Sequence, residues 1–233
     1  MTKPMPTRAA RAAFRALTGA LRRLCLGLCL ALAVPLPSAL AAEPVRVTLD
    51  SDAGVIELAL YPDRAPLTVA NFLRYVDAGL YDGASFYRVV RQDNQPQSPV
   101  KIEVIQGGMG AATYDAEPAQ RPFPPVAHET TAVTGLRHED GTLSMARLAP
   151  GSATSEFFIC IGPQPELDFG GARNPDGQGF AAFGRVISGM DVVRRIQGEP
   201  TRADAPDYLS SVTGQLLQDP VIIQHAERAG SVR

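Results

Sequence analysis

The 233-residue sequence has no tryptophan, three cysteines and three histidines, and aromatic residues make up only 6% of it. Two of the cysteines, Cys25 and Cys29, lie near the N-terminus. The third, Cys160, stands in the apolar run Phe157-Phe158-Ile159-Cys160-Ile161. A lone thiol in such a run forms no internal disulfide and reads as a small buried hydrophobe, not a nucleophile. His128-Glu129 and His138-Glu139-Asp140 lack the i, i+4 histidine spacing of a zincin helix. In turn-rich sequence they read as solvated charge. Ser144 and Ser155 have no partner His and Asp in recognisable order, which speaks against a serine hydrolase. Gly170-Gly171 and Asn174-Pro175-Asp176-Gly177 are turn sequences, not a phosphate cradle. Neither a metal nor a cofactor is expected. A membrane span is also missing from the N-terminus, because the apolar run Leu24 to Val34 is well short of the ~20 residues that cross a bilayer.

That short run has a different use. Lys3, Arg8, Arg11, Arg15, Arg22 and Arg23 precede it with no acidic residue, and Pro35 and Pro37 end it. Ser38-Ala39-Leu40-Ala41-Ala42 then supplies small residues at A-x-A spacing, the pattern of a cleaved secretory signal over residues 1–41. Cleavage is expected after Ala41 or Ala42, leaving one domain over 42–233 in the periplasm or secreted medium. The leader removes six of the 22 Lys and Arg and none of the 24 Asp and Glu, so the remainder carries a formal charge of −8. An acidic domain poor in aromatics argues against nucleic acid or, once the signal is cleaved, a membrane as partner.

Val45-Arg46-Val47-Thr48-Leu49 and Val55-Ile56-Glu57-Leu58-Ala59-Leu60 alternate in polarity around an Asp/Gly turn, which predicts a β-hairpin. Val69, Phe72, Leu73 and Val76 recur at helical spacing and Gly79 stops them. Short strands are predicted over Ser85–Val90, Glu103–Gln106, Thr142–Ala146, Glu156–Ile161, Phe180–Val186 and Val221–His225, with a second helix over Met190–Ile196. Segments 91–101, 111–127 and 199–214 read as irregular. Many strands, two helices and connections too short for βαβ units favour an antiparallel sheet closed on itself, with helices over its open ends.

Several clusters occur in order: Phe86-Tyr87-Arg88, Gln106-Gly107-Gly108, Gly141-Thr142-Leu143-Ser144-Met145-Ala146-Arg147, Ser152-Ala153-Thr154-Ser155-Glu156-Phe157-Phe158-Ile159, and Gly179-Phe180-Ala181-Ala182-Phe183-Gly184-Arg185-Val186 followed by Gly189-Met190-Asp191-Val192-Val193. Together they resemble the cyclophilin family of peptidyl-prolyl cis-trans isomerases, especially its bacterial exported members. The resemblance implies a mainly β fold, a closed eight-stranded antiparallel β-barrel capped by two α-helices. It also implies an outer groove that binds one X-Pro bond of a proline-containing segment in unfolded or exported proteins, and a monomer. Rotation about that bond crosses a barrier of ~18–20 kcal/mol because amide resonance is lost. No bond is made or broken, so what helps is a fixed cation aimed at the prolyl nitrogen and apolar walls around the ring.

Position by position, the resemblance makes Arg88 the catalytic arginine, Gln106 the glutamine that orients it, and Phe158 and Met145 walls of the proline pocket. It assigns Ala146 and Arg147 to the strand that pairs with the peptide, and Leu167 and Phe180 to the pocket. Phe158 and Met145 have a second reading as barrel core, since alternation turns half of any strand inward. Gly107-Gly108 read as a backbone requirement.

The sequence departs from the family in three places, one of them a pocket that carries Leu167 with no Trp nearby. The link from Arg88 to Gln106 is long, and its polar part over 91–101 reads as a surface loop. Where the family has an aromatic pocket residue, Glu103 stands between Ile102 and Val104, so either a neighbour fills the pocket or that wall is lost. Glu156 takes the place of a substrate-binding glutamine. It could pair with Arg88, and Glu156→Gln is expected to raise kcat/KM by restoring a donor. These two changes also keep open a catalytically weak module that binds proline-containing or unfolded segments.

Overall fold

The computed structural model describes residues 43–110, 122–205 and 212–230. The leader expected over 1–41 lies outside the described residues, as do parts of the irregular segments 111–127 and 199–214.

The predicted hairpin forms with longer strands than alternation suggests. β1 (Val45–Ser51) and β2 (Gly54–Leu60) pair antiparallel through Ser51↔Gly54, and the Ser51 hydroxyl donates to the Gly54 carbonyl at 2.7 Å. Six more strands follow: β3 (Ser85–Val90), β4 (Val104–Gly108), β5 (Thr142–Met145), β6 (Phe157–Cys160), β7 (Ala181–Ser188) and β8 (Leu216–Arg228). Their order around the sheet is β1-β2-β7-β5-β6-β4-β3-β8, closed by β8 against β1, and every pair is antiparallel. The expected closed eight-stranded barrel is what forms, and closure removes exposed sheet edges.

Each strand turns alternate residues into one core. Leu49, Ile56, Phe86, Ile105, Leu143, Phe157, Phe183 and Ile223, one from each strand, are all fully buried in it. Helix α1 (Pro66–Asp77) adds Val69, Phe72, Leu73, Tyr75 and Val76, and Phe72 meets the rings of Tyr81, Phe157 and Phe183 at 5.1 to 5.4 Å. One further turn, α2 (Thr131–Thr134), was not anticipated, because four residues are too few to show a period. Helix α3 (Met190–Gln197) contributes Val192, Val193 and Ile196 and packs on β2, β3 and β4.

Two expectations need correction. Helix α1 begins at Pro66 with no side-chain cap of its own. Glu129 supplies the cap from far along the chain, accepting from the Leu67 and Thr68 backbone N–H groups and the Thr68 hydroxyl. Glu129 is therefore a buried structural anion and not solvated charge, because orphan amides at a helix start need an acceptor. The last strand, β8, is also much longer than Val221–His225. It reaches Leu216 because it runs past both β1 and β3, and a register jump at β3 takes up Pro220, which has no N–H for a ladder.

Candidate active site

A β-bulge aims the key cation. Phe86 pairs with Gly107 and Arg88 with Gln106, so Tyr87 is an extra residue in β3. In an unbroken strand Arg88 would follow Phe86 into the core two positions on; the bulge turns it to the outer face instead. Gln106 pairs in turn with Phe158, and Phe158 with Ser144. Arg88, Gln106 and Phe158 thus form a lateral row across β3, β4 and β6.

Beside this row lies a second apolar cluster, separate from the core. It comprises Val90, Ile102, Val104, Ala146, Phe158, Cys160 and Leu167, with Phe180 packed against it. Phe180 meets Phe158 edge-on at 5.3 Å. Leu167 is held in a short 3-10 turn, Pro165–Leu167. Ile102 and Val104 both join the cluster, so the wall opposite Glu103 is present but aliphatic. Glu103 itself is half-exposed and accepts from the Gln92 side chain at 3.3 Å. Met145 does not belong here: it lies in the barrel core with Leu143, because the two share one face of β5. The core reading of Met145 is the right one, while Phe158, one residue out of phase with core Phe157, belongs to this second cluster. Burial pushes the Cys160 thiol well up, which keeps it in the protonated form.

The polar half of the site is a chain of oriented groups. Arg88 donates from Nη1 to Gln106 Oε1 at 2.7 Å, and from Nε and Nη2 to Gln215 Oε1 at 2.9 and 2.6 Å. Gln106 donates from Nε2 to the Tyr87 hydroxyl at 2.6 Å, and that hydroxyl donates to Glu156 Oε2 at 2.5 Å. Glu156 is buried, and its other oxygen accepts from the Ser155 hydroxyl at 3.0 Å and the Gly110 N–H at 3.1 Å. Gly108 makes room for it: at φ +145°, a Cβ there would stand 2.6 Å from Glu156 Oε1. A Cβ on Gly107 would meet the Phe86 ring at 2.8 Å, so both glycines are backbone requirements. Sequence reasoning missed Tyr87 and Gln215 as partners. Tyr87 was visible in the first motif, whereas Gln215 lies 127 positions from Arg88 with no motif around it.

A third group corrects the reading of His138 as solvated charge. His138 is buried, with Nδ1 2.7 Å from Asp168 Oδ1 and Nε2 2.9 Å from the Ser144 hydroxyl. Ser144 therefore does have His and Asp partners, brought together by the barrel and in no motif order. All three are buried, with Ser144 wholly so, which denies a substrate carbonyl access to the hydroxyl. Their role is structural: the His138 ring stacks under Phe158 at 5.9 Å and 16°. Burial alone would raise Asp168, but hydrogen bonds from the His138 ring and backbone outweigh it and hold the carboxyl below its ordinary value.

Arg147 is buried along one side of the cluster. It donates to Asp176 through both terminal nitrogens at 2.8 and 2.9 Å and to the Gly179 carbonyl at 2.8 Å, and its guanidinium lies 5.1 Å from the Phe180 ring centroid. Its side chain ties the 176–180 loop to the groove.

Comparison with known proteins agrees with this geometry. Residues 45–227 match the family described as cyclophilin type peptidyl-prolyl cis-trans isomerase/CLD. The chain belongs to this family. Among curated cyclophilin-type relatives, peptidyl-prolyl cis-trans isomerase A of Dickeya dadantii is 36% identical over 192 residues, covering 82% of this chain and 88% of that protein. Peptidyl-prolyl cis-trans isomerase B of Escherichia coli is 35% identical, covering 66% of this chain and 85% of its own. A Cryptosporidium parvum cyclophilin-type isomerase, crystallised in the presence of the dipeptide Ala-Pro, matches the fold with a TM-score of 0.57 at 20% identity, covering 80% of this chain and 99% of that one. The relatives are named as peptidyl-prolyl cis-trans isomerases, so this is a family of isomerase enzymes.

Proposed function

We propose that this chain catalyses cis-trans isomerisation of X-Pro peptide bonds in proteins that fold after export. The observation that carries the reading is the row Arg88–Gln106–Phe158 beside a groove-facing apolar cluster. The proline ring sits on Phe158 between Leu167, Val104 and Phe180, and the backbone at Ala146 and Arg147 receives the peptide. Arg88 donates to the prolyl nitrogen as it pyramidalises, while Gln106 holds the guanidinium. An acceleration of ~10⁵-fold corresponds to ~7 kcal/mol off the barrier, of which a charge-assisted hydrogen bond in a dry pocket supplies about 3–4 kcal/mol, and the hold on the ring and backbone supplies the rest. The substrates are proline-containing segments whose unaided isomerisation takes tens to hundreds of seconds.

A protease-coupled assay on an Ala-Pro peptide tests the chemistry. The wild-type chain is expected to accelerate isomerisation and Arg88→Ala to lower kcat by at least about a hundredfold. Equal, uncatalysed rates for both would leave a binding module without catalysis. The export context rests on the basic head, the apolar run and the small-residue exit of residues 1–41. Expression in a bacterium followed by N-terminal sequencing of the periplasmic or secreted product is expected to find a start at Ala42 or Glu43. Intact Met1 on cytoplasmic protein would overturn it.

A further inference from the structure

The inserted loop over residues 91–101 has no counterpart in the motifs that define the site, yet it is tied to Arg88 through one buried side chain. We infer that Gln215 is a positioning residue for Arg88 and that this loop, through Asn94, sets the orientation of Gln215. The inference rests on the isomerase reading and names a part of the same site.

Gln215 is buried and uses both ends of its amide. Its Oε1 accepts two hydrogen bonds from Arg88, at 2.9 Å from Nε and 2.6 Å from Nη2. Its Nε2 donates to the Asn94 carbonyl at 3.1 Å. With its oxygen on Arg88, the amide turns its nitrogen to the opposite side, where the Asn94 backbone carbonyl accepts from it and so fixes which way the amide points. The guanidinium is thus gripped between two amide oxygens, Gln106 on β4 and Gln215 before β8. Two fixed acceptors on one planar fork define its plane as well as its place.

The loop that carries Asn94 is itself braced. The Asn94 side chain accepts from the Arg91 N–H at 2.8 Å and donates to the Val89 carbonyl at 3.0 Å, next to Arg88 on β3. Gln95, wholly buried, donates to the Arg91 and Ile102 carbonyls and so joins the two ends of the loop. Arg173 locks it from outside, donating to Gln95 Oε1 at 2.9 Å and the Ser98 hydroxyl at 2.7 Å. These hydrogen bonds fix the loop on both sides of Asn94.

The test uses the full chain. Gln215→Met keeps the volume and removes the acceptor. It is expected to lower kcat on the order of ten- to a hundredfold, since small misplacements of a catalytic group cost that much. KM and the affinity for a non-isomerising proline peptide are expected to stay within about twofold, because ground-state binding is left intact. Asn94→Ala keeps the backbone carbonyl but removes the side-chain bonds to the Arg91 N–H and the Val89 carbonyl that place it, and is expected to move the same constants in the same direction by a smaller factor. Nuclear magnetic relaxation of the Arg88 Nε–H in the wild type gives a readout that does not require any variant to fold: a rigid group supports the inference. A freely turning Arg88 in the wild type, or a Gln215→Met enzyme with wild-type kcat, overturns it. If instead the wild type itself shows no isomerase activity, the isomerase reading fails first.

Discussion

Glu156 illustrates what a single residue does once its neighbours are known. In sequence it is a departure from a family glutamine, and restoring the amide looks like a gain. In the structure the Tyr87 hydroxyl, the Ser155 hydroxyl and the Gly110 N–H all donate to its two oxygens. An amide placed there turns its NH₂ toward the Tyr87 hydroxyl or toward the Gly110 N–H. The backbone donor cannot reverse its role. With the NH₂ therefore facing Tyr87, the hydroxyl proton loses its acceptor, and Glu156→Gln is expected to lower stability by about 1–3 kcal/mol. Through Tyr87 it also loosens Gln106, so kcat/KM is expected to fall by about tenfold. Urea denaturation and the coupled assay check both, and a rise in kcat/KM would restore the donor argument made from the family alone.

At the scale of elements, one irregularity in β3 and one ion pair beyond β5 position the groove. The bulge at Tyr87 is legible only as a short Phe-Tyr-Arg motif; that it turns Arg88 outward follows from the Gly107 and Gln106 registers. Arg147, just past β5, is tied to the 176–180 loop by Asp176, whose carboxyl is held down to about 2 by hydrogen bonds from Arg147 and from the Gln178 N–H. An unfolded aspartate titrates near ~3.9. A depressed carboxyl stabilises the fold above that value, and its contribution is lost as pH falls through the folded value of about 2. Asp168, also depressed by the His138 hydrogen bonds, acts with the same sign. Thermal melts are expected to be flat in weak acid and to drop below pH ~4. Asp176→Asn is expected to lower the plateau and make the acid limb shallower, with Asp168 supplying the rest. An unchanged acid limb would mean that the Arg147 pair adds nothing.

For the whole molecule, stability comes from one core that every strand and two helices share. Phe157 lies at its centre, edge-on to Phe72, Tyr81 and Phe86 at 5.4, 5.5 and 5.8 Å. Phe157→Ala is expected to cost about 3–5 kcal/mol, read as a lower midpoint in urea with an unchanged slope. A cost below ~1 kcal/mol would mean that the barrel collapses around the gap. Phe158, one position on, is expected to affect binding more than stability, because its ring faces the groove cluster.

Period-2 alternation, the helical face of Val69, Phe72, Leu73 and Val76, and turn glycines were enough to read the hairpin, both long helices and barrel closure from the chain alone. Those signals are local: each depends on side chains a few residues apart, whereas Arg88, Gln106 and Phe158 were singled out by the resemblance that the ordered motifs carry. Strand parity cannot be counted across a bulge or from an uncertain start, so Met145 was open between core and groove until the β5 register assigned it to the core. The grip of Gln215 on Arg88, the Glu129 cap on α1 and the His138–Asp168–Ser144 group join residues up to 127 positions apart. Burial leaves a polar group to find whichever partner the closed barrel brings near it, and no spacing in the chain encodes that partner. Local physics determined the elements; tertiary closure decided what holds Arg88 in place.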